Sequence, residues 1–435
     1  MATTIPEVAD ALTSVFTTTA ESAARDSRFV QRSSKLTGPA FVQTLAFGWL
    51  ANPQATLEEL AQTARARGVS ISPQGLDQRF TRRAAACLRE VLEAAVTRVL
   101  AADPVAIPIL QRFAGGVWLL DSTTVALPDA FSKRWPGFHD CAAVKLQVRL
   151  DLLHGTLAGP VLQPGRHSDQ AGALQKVRLP RGALHLADLG YFDLDRLDLW
   201  AKQGVYWLTR VQTNTRIYDA AGRRWLLPEL MATQKAPAVE LAITLGLKHR
   251  LPCRLLAQRV PAAVAAQRRA RMLDKARRKK KKIDPGRWAL AEWTIYVTNV
   301  PTEQLTLEEG LVLARCRWQI ELLFKLWKNE GRIDESRSQK PWRVLCEIYA
   351  KLLGMVVQHW ILLVSCWSYA NRSLVKASRI VRGQAIQLAI VLGIRQLVCQ
   401  ILELIRRCLA VGSRLNKRRQ KPATYQMLLD LDETG

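Results

Sequence analysis

The chain has 435 residues, of which 49% are hydrophobic and 23% are charged, so it is long enough for two or three globular domains with substantial cores. Its 63 Lys and Arg residues exceed its 37 Asp and Glu residues, which gives a formal net charge of +26. A surplus of this size favours a polyanionic partner, with nucleic acid preferred over an anionic membrane surface.

Cysteine spacing and apolar runs exclude several other classes. The eight cysteines form no Cys-x-x-Cys pair and no nearby Cys/His cluster, so neither a zinc site nor a disulfide framework is predicted. The first thirty residues lack a continuous apolar core, which argues against a signal peptide. The longest uncharged apolar run, from Leu352 to Trp367, is shorter than the roughly 20 residues needed to span a bilayer. We therefore expect a cytoplasmic protein without membrane contact, in which this run is a buried helix.

Residues 1–110 are predicted to form a helical DNA-binding domain. Thr56, followed by Glu58 and Glu59, is typical of a helix N-cap with an acidic first turn. Gly68 is expected to end that helix.

A second helix is predicted from Pro73 to Arg83. The pair of helices is then either a helix-turn-helix, with Arg79, Arg82 and Arg83 on DNA phosphates, or a plain helical hairpin with a solvated basic face. The sequence supports the two interpretations equally.

An α/β layer is predicted for residues 111–214. The apolar run Val117–Leu120 indicates a buried strand that ends at Asp121, and a short strand at Ala183–Ala187 ends at Asp188. The other predicted elements are a half-buried strand at Val144–Leu152, a strand at Thr156–Leu162, a helix at Ser168–Val177, a helix at Asp193–Gln203 and a strand at Val205–Val211. Both aspartates are therefore expected at the ends of neighbouring strands.

Residues 215–300 interrupt this layer. Strands are predicted at Ala238–Thr244 and Trp293–Val300, and between Arg268 and Lys282 the chain has ten Lys or Arg against one acid, Asp274. Such a run is either a solvated, mobile segment or a set of phosphate contacts with salt-sensitive affinity. Both interpretations stay open.

Helices are predicted for the rest of the chain. Within residues 301–340, a helix from Arg317 to Lys328 places Arg317, Glu321 and Lys328 on one face. Residues 341–435 are expected to form a helical region with a basic cluster at Arg414–Lys421.

Asp121, Asp188 and Glu321 are the candidate catalytic residues. If folding brings them together, three carboxylates can hold two Mg²⁺ ions, or Mn²⁺ ions, because these cations prefer hard oxygen ligands. One ion would activate a water or a 3′-hydroxyl, and the other would stabilise the leaving oxygen of an in-line displacement at phosphorus. In a strongly basic protein, this pattern predicts phosphoryl transfer on nucleic acid.

Each acid also has a structural explanation. Asp121 and Asp188 could each cap a turn that follows a strand. Glu321 could pair with Arg317 at i,i+4, which stabilises a helix by only about 0.3 kcal/mol. The joint occurrence of two strand-end aspartates and a helical glutamate favours the catalytic explanation.

Three motifs in the chain match a known pattern. They are Trp118-Leu-Leu-Asp121-Ser-Thr, Ala187-Asp188-Leu-Gly-Tyr-Phe192 and Arg317-x3-Glu321-x6-Lys328. With these motifs, most of the chain resembles the DDE insertion-sequence transposases of the insertion-sequence-four family. The last motif has the spacing of the family's Tyr-x2-Arg-x3-Glu-x6-Lys signature, although the family's Tyr falls on Ala314.

The resemblance implies an RNase H-like fold, a mixed sheet flanked by helices, in which residues 215–300 are the family's β-rich insertion. It also implies a bacterial, nucleoid-associated enzyme that binds double-stranded transposon ends and target DNA and acts as a homodimer. The residues it assigns to the catalytic metals are Asp121, Asp188 and Glu321, and those it assigns to DNA are Arg317 and Lys328, with Lys325 as a further candidate contact.

The roles of two tryptophans and of one alanine are each open to more than one interpretation. Some members of the family stack a flipped base on a tryptophan of the insertion, so Trp288 and Trp293 are candidates, with core packing as the alternative for both. Ala314 supports a competing function, a catalytically inactive or domesticated DNA-binding protein derived from a transposase. A nuclease of the same fold that cuts without strand transfer is a third hypothesis.

Overall fold

The computed structural model describes residues 2–32, 35–139, 141–280 and 282–433. Its α-helices are α1 (Ile5–Ser14), α2 (Ala20–Asp26), α3 (Gly38–Ala51), α4 (Leu57–Ala66), α5 (Pro73–Asp77), α6 (Arg82–Val96), α7 (Pro108–Gln111), α8 (Ala173–Lys176), α9 (Leu194–Lys202), α10 (Leu227–Ala232), α11 (Ala262–Lys279), α12 (Pro285–Ala289), α13 (Leu307–Leu313), α14 (Trp318–Asn329), α15 (Pro341–Leu363), α16 (Leu374–Val391), α17 (Arg395–Gly412) and α18 (Thr424–Glu433). Its strands are β1 (Val117–Leu127), β2 (Ala142–Asp151), β3 (Leu157–Pro164), β4 (Leu184–Ala187), β5 (Tyr206–Thr209), β6 (Arg216–Tyr218), β7 (Arg224–Leu226), β8 (Ala238–Leu245), β9 (Leu251–Arg259) and β10 (Trp293–Thr298).

In the described part of the chain, the ten strands form a single sheet in the order β3-β2-β1-β4-β5-β10-β9-β8-β6-β7. β4 is parallel to both β1 and β5, whereas β10 is antiparallel to β5 and β9. A mixed sheet of this kind, together with many helices, confirms the predicted α/β class and is consistent with an RNase H-like fold.

The chain divides into two compact units. The first contains the residues up to Ile107 together with Asp121–Lys176 and Gln319–Tyr425, and the second contains Pro108–Leu120, Val177–Trp318 and the residues after Tyr425. Each unit is made of segments that are distant in the sequence.

The first unit has a helical core around α15, which packs against α3 and α6. Among the described residues, α15 is the one helix long and apolar enough to cross a membrane, and its apolar window is fully buried inside the protein. The prediction of a buried helix in this region is therefore confirmed.

The predicted first helix of the N-terminal region is confirmed, but the second is wrong. Thr56 and Glu59 form a capping box at the start of α4. The segment Pro73–Arg83 is not one helix, because α5 ends at Asp77 and the hydroxyl of Thr81 then caps the separate helix α6. With only five residues, α5 is too short to serve as the groove-reading helix of the predicted helix-turn-helix.

The predicted half-buried strand is instead buried on both faces. In β2, Lys145, Gln147 and Arg149 are each less than 9% exposed, because the segment that follows β3 covers them. Lys145 Nζ donates to Asp169 over 2.9 Å, and Gln147 Oε1 accepts from the backbone N–H of Leu174 over 2.9 Å.

The helix predicted at Ser168–Val177 is therefore mostly absent. Only the short α8, Ala173–Lys176, forms there. The backbone of this segment bonds to side chains of β2, as Leu174 does through both its N–H and its carbonyl, and these bonds replace part of a helical hydrogen-bond ladder.

Five elements that were predicted for the second unit are present. β4, α9, β5, β8 and β10 lie where the sequence predicted them, and their apolar faces share one core that includes Trp200, Trp207 and Leu255. The basic run that begins at Arg268 lies largely on the regular helix α11. Lys281, which belongs to that run, lies outside the described residues.

A buried ion pair fixes the segment that follows α14 in the first unit. Lys351 Nζ lies 2.8 Å from Glu347 in α15, and these side chains are only 2% and 4% exposed. Lys351 also donates to the carbonyls of Arg332 and Glu335 over 2.9 and 2.8 Å, and Ser336 Oγ donates to Glu347 over 2.7 Å.

Replacing Lys351 with Met should lower the free energy of unfolding by about 3–5 kcal/mol, because it leaves Glu347 buried without its cation. The double variant Lys351→Met/Glu347→Leu should recover much of that loss, since both charges are gone. Urea denaturation of the three proteins measures this difference. Equal destabilisation in the single and double variants would contradict the assigned role of the pair.

Candidate active site

Asp121 and Asp188 follow a pair of matched residues in two parallel strands. The register of β1 and β4 runs from Val117 opposite Leu184 to Leu120 opposite Ala187. The next residue along the chain is Asp121 in one case and Asp188 in the other, and each is partly exposed.

The prediction that Asp121 ends a strand is wrong. β1 continues through Asp121 to Leu127, and the β-branched residues at 123–125 favour this extension. A position inside a strand excludes the predicted role as a turn cap after the strand. The Oδ1 atom of Asp121 accepts a hydrogen bond from the backbone N–H of Ser122 over 2.8 Å.

Asp188 directly follows β4, as predicted. It precedes a 3-10 helix, Leu189–Tyr191, and its backbone carbonyl accepts from the N–H of Tyr191 over 2.9 Å. Its side chain makes no capping hydrogen bond to that helix. The turn therefore uses the backbone of Asp188 and not its carboxylate.

Glu321 lies on α14, whose apolar face is buried. Leu323, Phe324 and Trp327 point into the interior, whereas Glu321 is partly exposed and Lys325 is exposed. The helix was predicted to begin at Arg317, but it begins at Trp318, because residues 314–317 form a 3-10 turn.

Lys328 links α14 to the distal half of β1 within the first unit. Its Nζ donates to the carbonyl of Thr124 over 3.1 Å and lies 3.9 Å from the carboxylate of Asp334. Thr124 is three residues beyond Asp121 on the strand, and Lys328 is seven residues beyond Glu321 on the helix. This contact fixes α14 beside the strand that carries Asp121.

A second carboxylate lies near β1 but has a structural role. Asp169 accepts from Ser122 Oγ and from Lys145 Nζ, each over 2.9 Å. Because successive side chains of a strand point to opposite faces, Ser122 and Asp169 lie on the face opposite to that of Asp121. Sequence reasoning missed this cluster, since no motif relates its three residues.

The donor chemistry of the three candidate residues fits a divalent cation. Asp121, Asp188 and Glu321 supply hard oxygen atoms of the kind that Mg²⁺ and Mn²⁺ prefer. Among the residues that the structure describes, no group of three or more His, Cys, Asp or Glu is placed to hold a metal ion.

The two candidate tryptophans differ in exposure. Trp293 is only 6% exposed and belongs to the core of the second unit, with the guanidinium of Arg259 4.4 Å from its ring centre. Its alternative role in core packing therefore holds. Trp288 is partly exposed, and the guanidinium of Arg269 lies 5.5 Å from its ring centre.

The three candidate arginines of the N-terminal region all reach the surface. Arg79, Arg82 and Arg83 are exposed, although they do not share one helix. Arg79 lies in the link after α5, and the other two begin α6.

Comparison with known proteins identifies the family. Residues 113–356, more than half of the chain, match the family model described as "Transposase DDE domain". The chain is 27% identical over 361 residues to the transposase for insertion sequence element IS231F of Bacillus thuringiensis subsp. israelensis, covering 77% of this chain and 75% of the relative. It is 25% identical over 370 residues to the transposase for insertion sequence element IS1151 of Clostridium perfringens, covering 79% and 77%. The chain therefore belongs to the DDE transposase family, whose members cleave and transfer DNA strands and generally use a divalent metal ion.

Proposed function

We propose that Asp121, Asp188 and Glu321 are the catalytic carboxylates with which this transposase cuts DNA at the ends of its insertion sequence and joins the cut ends to target DNA. The observation that carries the proposal is the parallel register of β1 and β4. It pairs Leu120 with Ala187, so the two aspartates follow matched positions of neighbouring strands that run in the same direction.

The contact between Lys328 and Thr124 supports the inclusion of Glu321. Glu321 precedes Lys328 by about 10 Å of helix, at a rise of 1.5 Å per residue. Asp121 precedes Thr124 by a similar distance of about 10 Å of strand. If α14 follows β1 in the same direction from this contact, Glu321 lies level with Asp121.

The three carboxylates would hold two Mg²⁺ ions, with Mn²⁺ as a substitute. Such ions, when bound, would supply activation of the attacking hydroxyl and stabilisation of the leaving oxygen at phosphorus. The carboxylates would bind and orient these ions. Arg317, Lys325 and Lys328 would contact the phosphates near the cut, with Arg317 suited to bidentate binding.

We assign the other regions to supporting roles. Residues 1–110 would bind transposon ends, with Arg79, Arg82 and Arg83 on phosphates. Residues 215–300 would form an insertion that contacts DNA, with Trp288 available to stack a base. Residues 111–214 and 301–340 would carry the catalytic groups. The enzyme would act in the bacterial cytoplasm, on DNA of the nucleoid.

A helical seam supports the proposal that two copies of the chain assemble on DNA through residues 341–435. One face of α17 is buried within the first unit, and its buried residues are Val398, Leu402, Ile405 and Leu409. A second apolar row is at least partly exposed and has the alternating four- and three-residue spacing of a coiled coil: Leu397, Ile401, Leu404, Cys408 and Val411. A second copy is the expected occupant, because the seam of an identical helix matches it around a two-fold axis.

Ala314 favours a second candidate function, DNA binding without catalysis. It stands where the family signature has Tyr, and it is only 7% exposed. Mg²⁺-dependent cleavage of the element's terminal sequence distinguishes the two functions.

Replacing Glu321 with Gln should reduce Mg²⁺-dependent nicking of the element's terminal sequence by at least about a hundredfold, more than the loss of a group that only supports a metal ligand. Binding to the same DNA should change little. Glu308→Gln, the same substitution on an exposed position of α13, is the matched control. Full cleavage by Glu321→Gln would reject the catalytic assignment, and absence of cleavage by the unaltered protein would favour the binding function.

Replacing Asp188 with Ala should leave the free energy of unfolding within about 0.5 kcal/mol of the unaltered protein, because its side chain makes no cap. Asp193 is the matched control, since its Oδ1 caps α9 by accepting from the N–H of Arg196 over 3.3 Å. Asp193→Ala should cost about 1 kcal/mol. Chemical denaturation compares the two, and an equal loss in both variants would make Asp188 a structural residue.

Replacing Leu404 with Glu should convert the DNA-bound dimer to a monomer, because it puts a charge in the middle of the seam. Leu247→Glu, at a position 60% exposed and outside α17, should leave the dimer intact. Light scattering after size exclusion, with terminal DNA bound, measures the mass. A dimer that persists in Leu404→Glu would exclude this seam as the interface.

A further inference from the structure

A cavity of about 420 Å³ in the second unit is lined by four arginines. They are Arg210, Arg268, Arg271 and Arg287, and no Asp or Glu is among the described residues that line it. The four come from the end of β5, from α11 and from α12. Folding has therefore collected cations from three separate elements around one cavity.

Hydrogen bonds hold Arg268 at the cavity. Its guanidinium donates to the carbonyl of Trp293 over 2.7 Å and to the hydroxyl of Thr294 over 3.0 Å, with a longer contact of 3.4 Å to the carbonyl of Ala291. Burial, with a contribution from the charge of Arg210, lowers the pKa of Arg268. The free protein thus holds like charges close together, an arrangement that a bound anion would stabilise.

The carboxylate of Glu292 does not neutralise this group. It lies 3.2 Å from Arg259 and 2.7 Å from Arg269, and these two arginines do not line the cavity. Within the described part of the chain, no carboxylate forms an ion pair with any of the four lining arginines. The cavity therefore presents positive charge to a ligand.

The cavity is lined by a neighbour of Asp188 and by the first two cations of a row on α11. Leu189, the residue after Asp188, lines it. From Arg268, the side chains of Arg271, Lys275 and Arg278 follow one face of α11, within about 80° of one another at 100° per residue. This row extends for about 15 Å along the helix, which is longer than a single phosphate group requires.

We propose that the cavity and this row form a groove for the phosphodiester backbone of the DNA strand that passes Asp188. The inference rests on the proposed function and adds the path of the substrate. Arginine guanidinium groups bind phosphate oxygens through paired hydrogen bonds, and successive phosphates would occupy the cavity and then the row on α11. The basic run around α11 is then a set of phosphate contacts.

The test compares three double variants of the full-length protein by fluorescence anisotropy with a labelled duplex of the element's terminal sequence. Arg271→Gln/Arg287→Gln should weaken binding at least about tenfold near 0.15 M salt, and it should reduce the slope of log K against log salt by about 1 to 2. Arg224→Gln/Lys235→Gln removes the same charge from exposed positions of the same unit and should change affinity less than twofold. Arg271→Lys/Arg287→Lys keeps the charge but not the paired hydrogen bonds, so it should lose less affinity than the first variant and retain the salt slope of the unaltered protein.

Equal affinity and salt slope in the two glutamine variants would overturn the groove. So would a lysine variant as weak as Arg271→Gln/Arg287→Gln. The catalytic proposal is tested by a different measurement. Unimpaired cleavage by Glu321→Gln would reject the carboxylate assignment and would leave this comparison of DNA binding intact. An unaltered protein that does not bind the duplex would overturn both.

Discussion

The parallel pairing of β1 with β4 is the constraint on which the candidate active site depends. Leu119, Leu120, Leu184 and Leu186 are all at most 1% exposed, so the register of the two strands is held inside a packed core. A slip of one residue would turn every side chain of one strand to the opposite face. Apolar packing before residues 121 and 188 thus determines where two of the three proposed catalytic acids lie.

The distribution of charge explains how the chain can bind a polyanionic substrate. The net charge is +26, and some cations form ion pairs with acids whereas others do not. Around β2, Lys145 is matched by Asp169, and in α15 Lys351 is matched by Glu347. Among the described residues, no acid forms an ion pair with the arginines of the cavity that Leu189 lines, so this part of the second unit stays positively charged. Repulsion between these arginines disfavours the free protein and increases the gain from binding a polyanion.

Sequence patterns predicted the elements whose signal is local. β4, β5 and α9 were found because short apolar runs or helical spacing are bounded by clear caps such as Asp193. β1 was predicted too short, because its second half begins with Ser and two Thr residues and carries no apolar run. The polar face of β2 was predicted to face solvent, but it is buried by a segment in which Leu174 donates a hydrogen bond to Gln147 and Asp169 accepts one from Lys145. Contacts between residues so far apart in the sequence produce no periodic pattern from which they could be predicted.

The candidate functional residues also divide into those with a local sequence signal and those without one. The three acids were predicted from their motifs and from resemblance, whereas the arginine cavity was not predicted. Arg210, after β5, and Arg287, before β10, are remote in the sequence, and the antiparallel pairing of β10 with β5 brings their segments together. The length of α5 was also misjudged, since Ser72 and Thr81 each begin a helix within what looked like one helical stretch.

The most direct test of the central claim is iron-mediated cleavage of the polypeptide, in which Fe²⁺ replaces Mg²⁺ in the DNA-bound protein and peroxide generates hydroxyl radicals at the metal. The account predicts backbone cuts near residues 121, 188 and 321 together, all suppressed by excess Mg²⁺. Cuts confined to one or two of these segments, or cuts elsewhere that Mg²⁺ suppresses, would contradict a shared metal site.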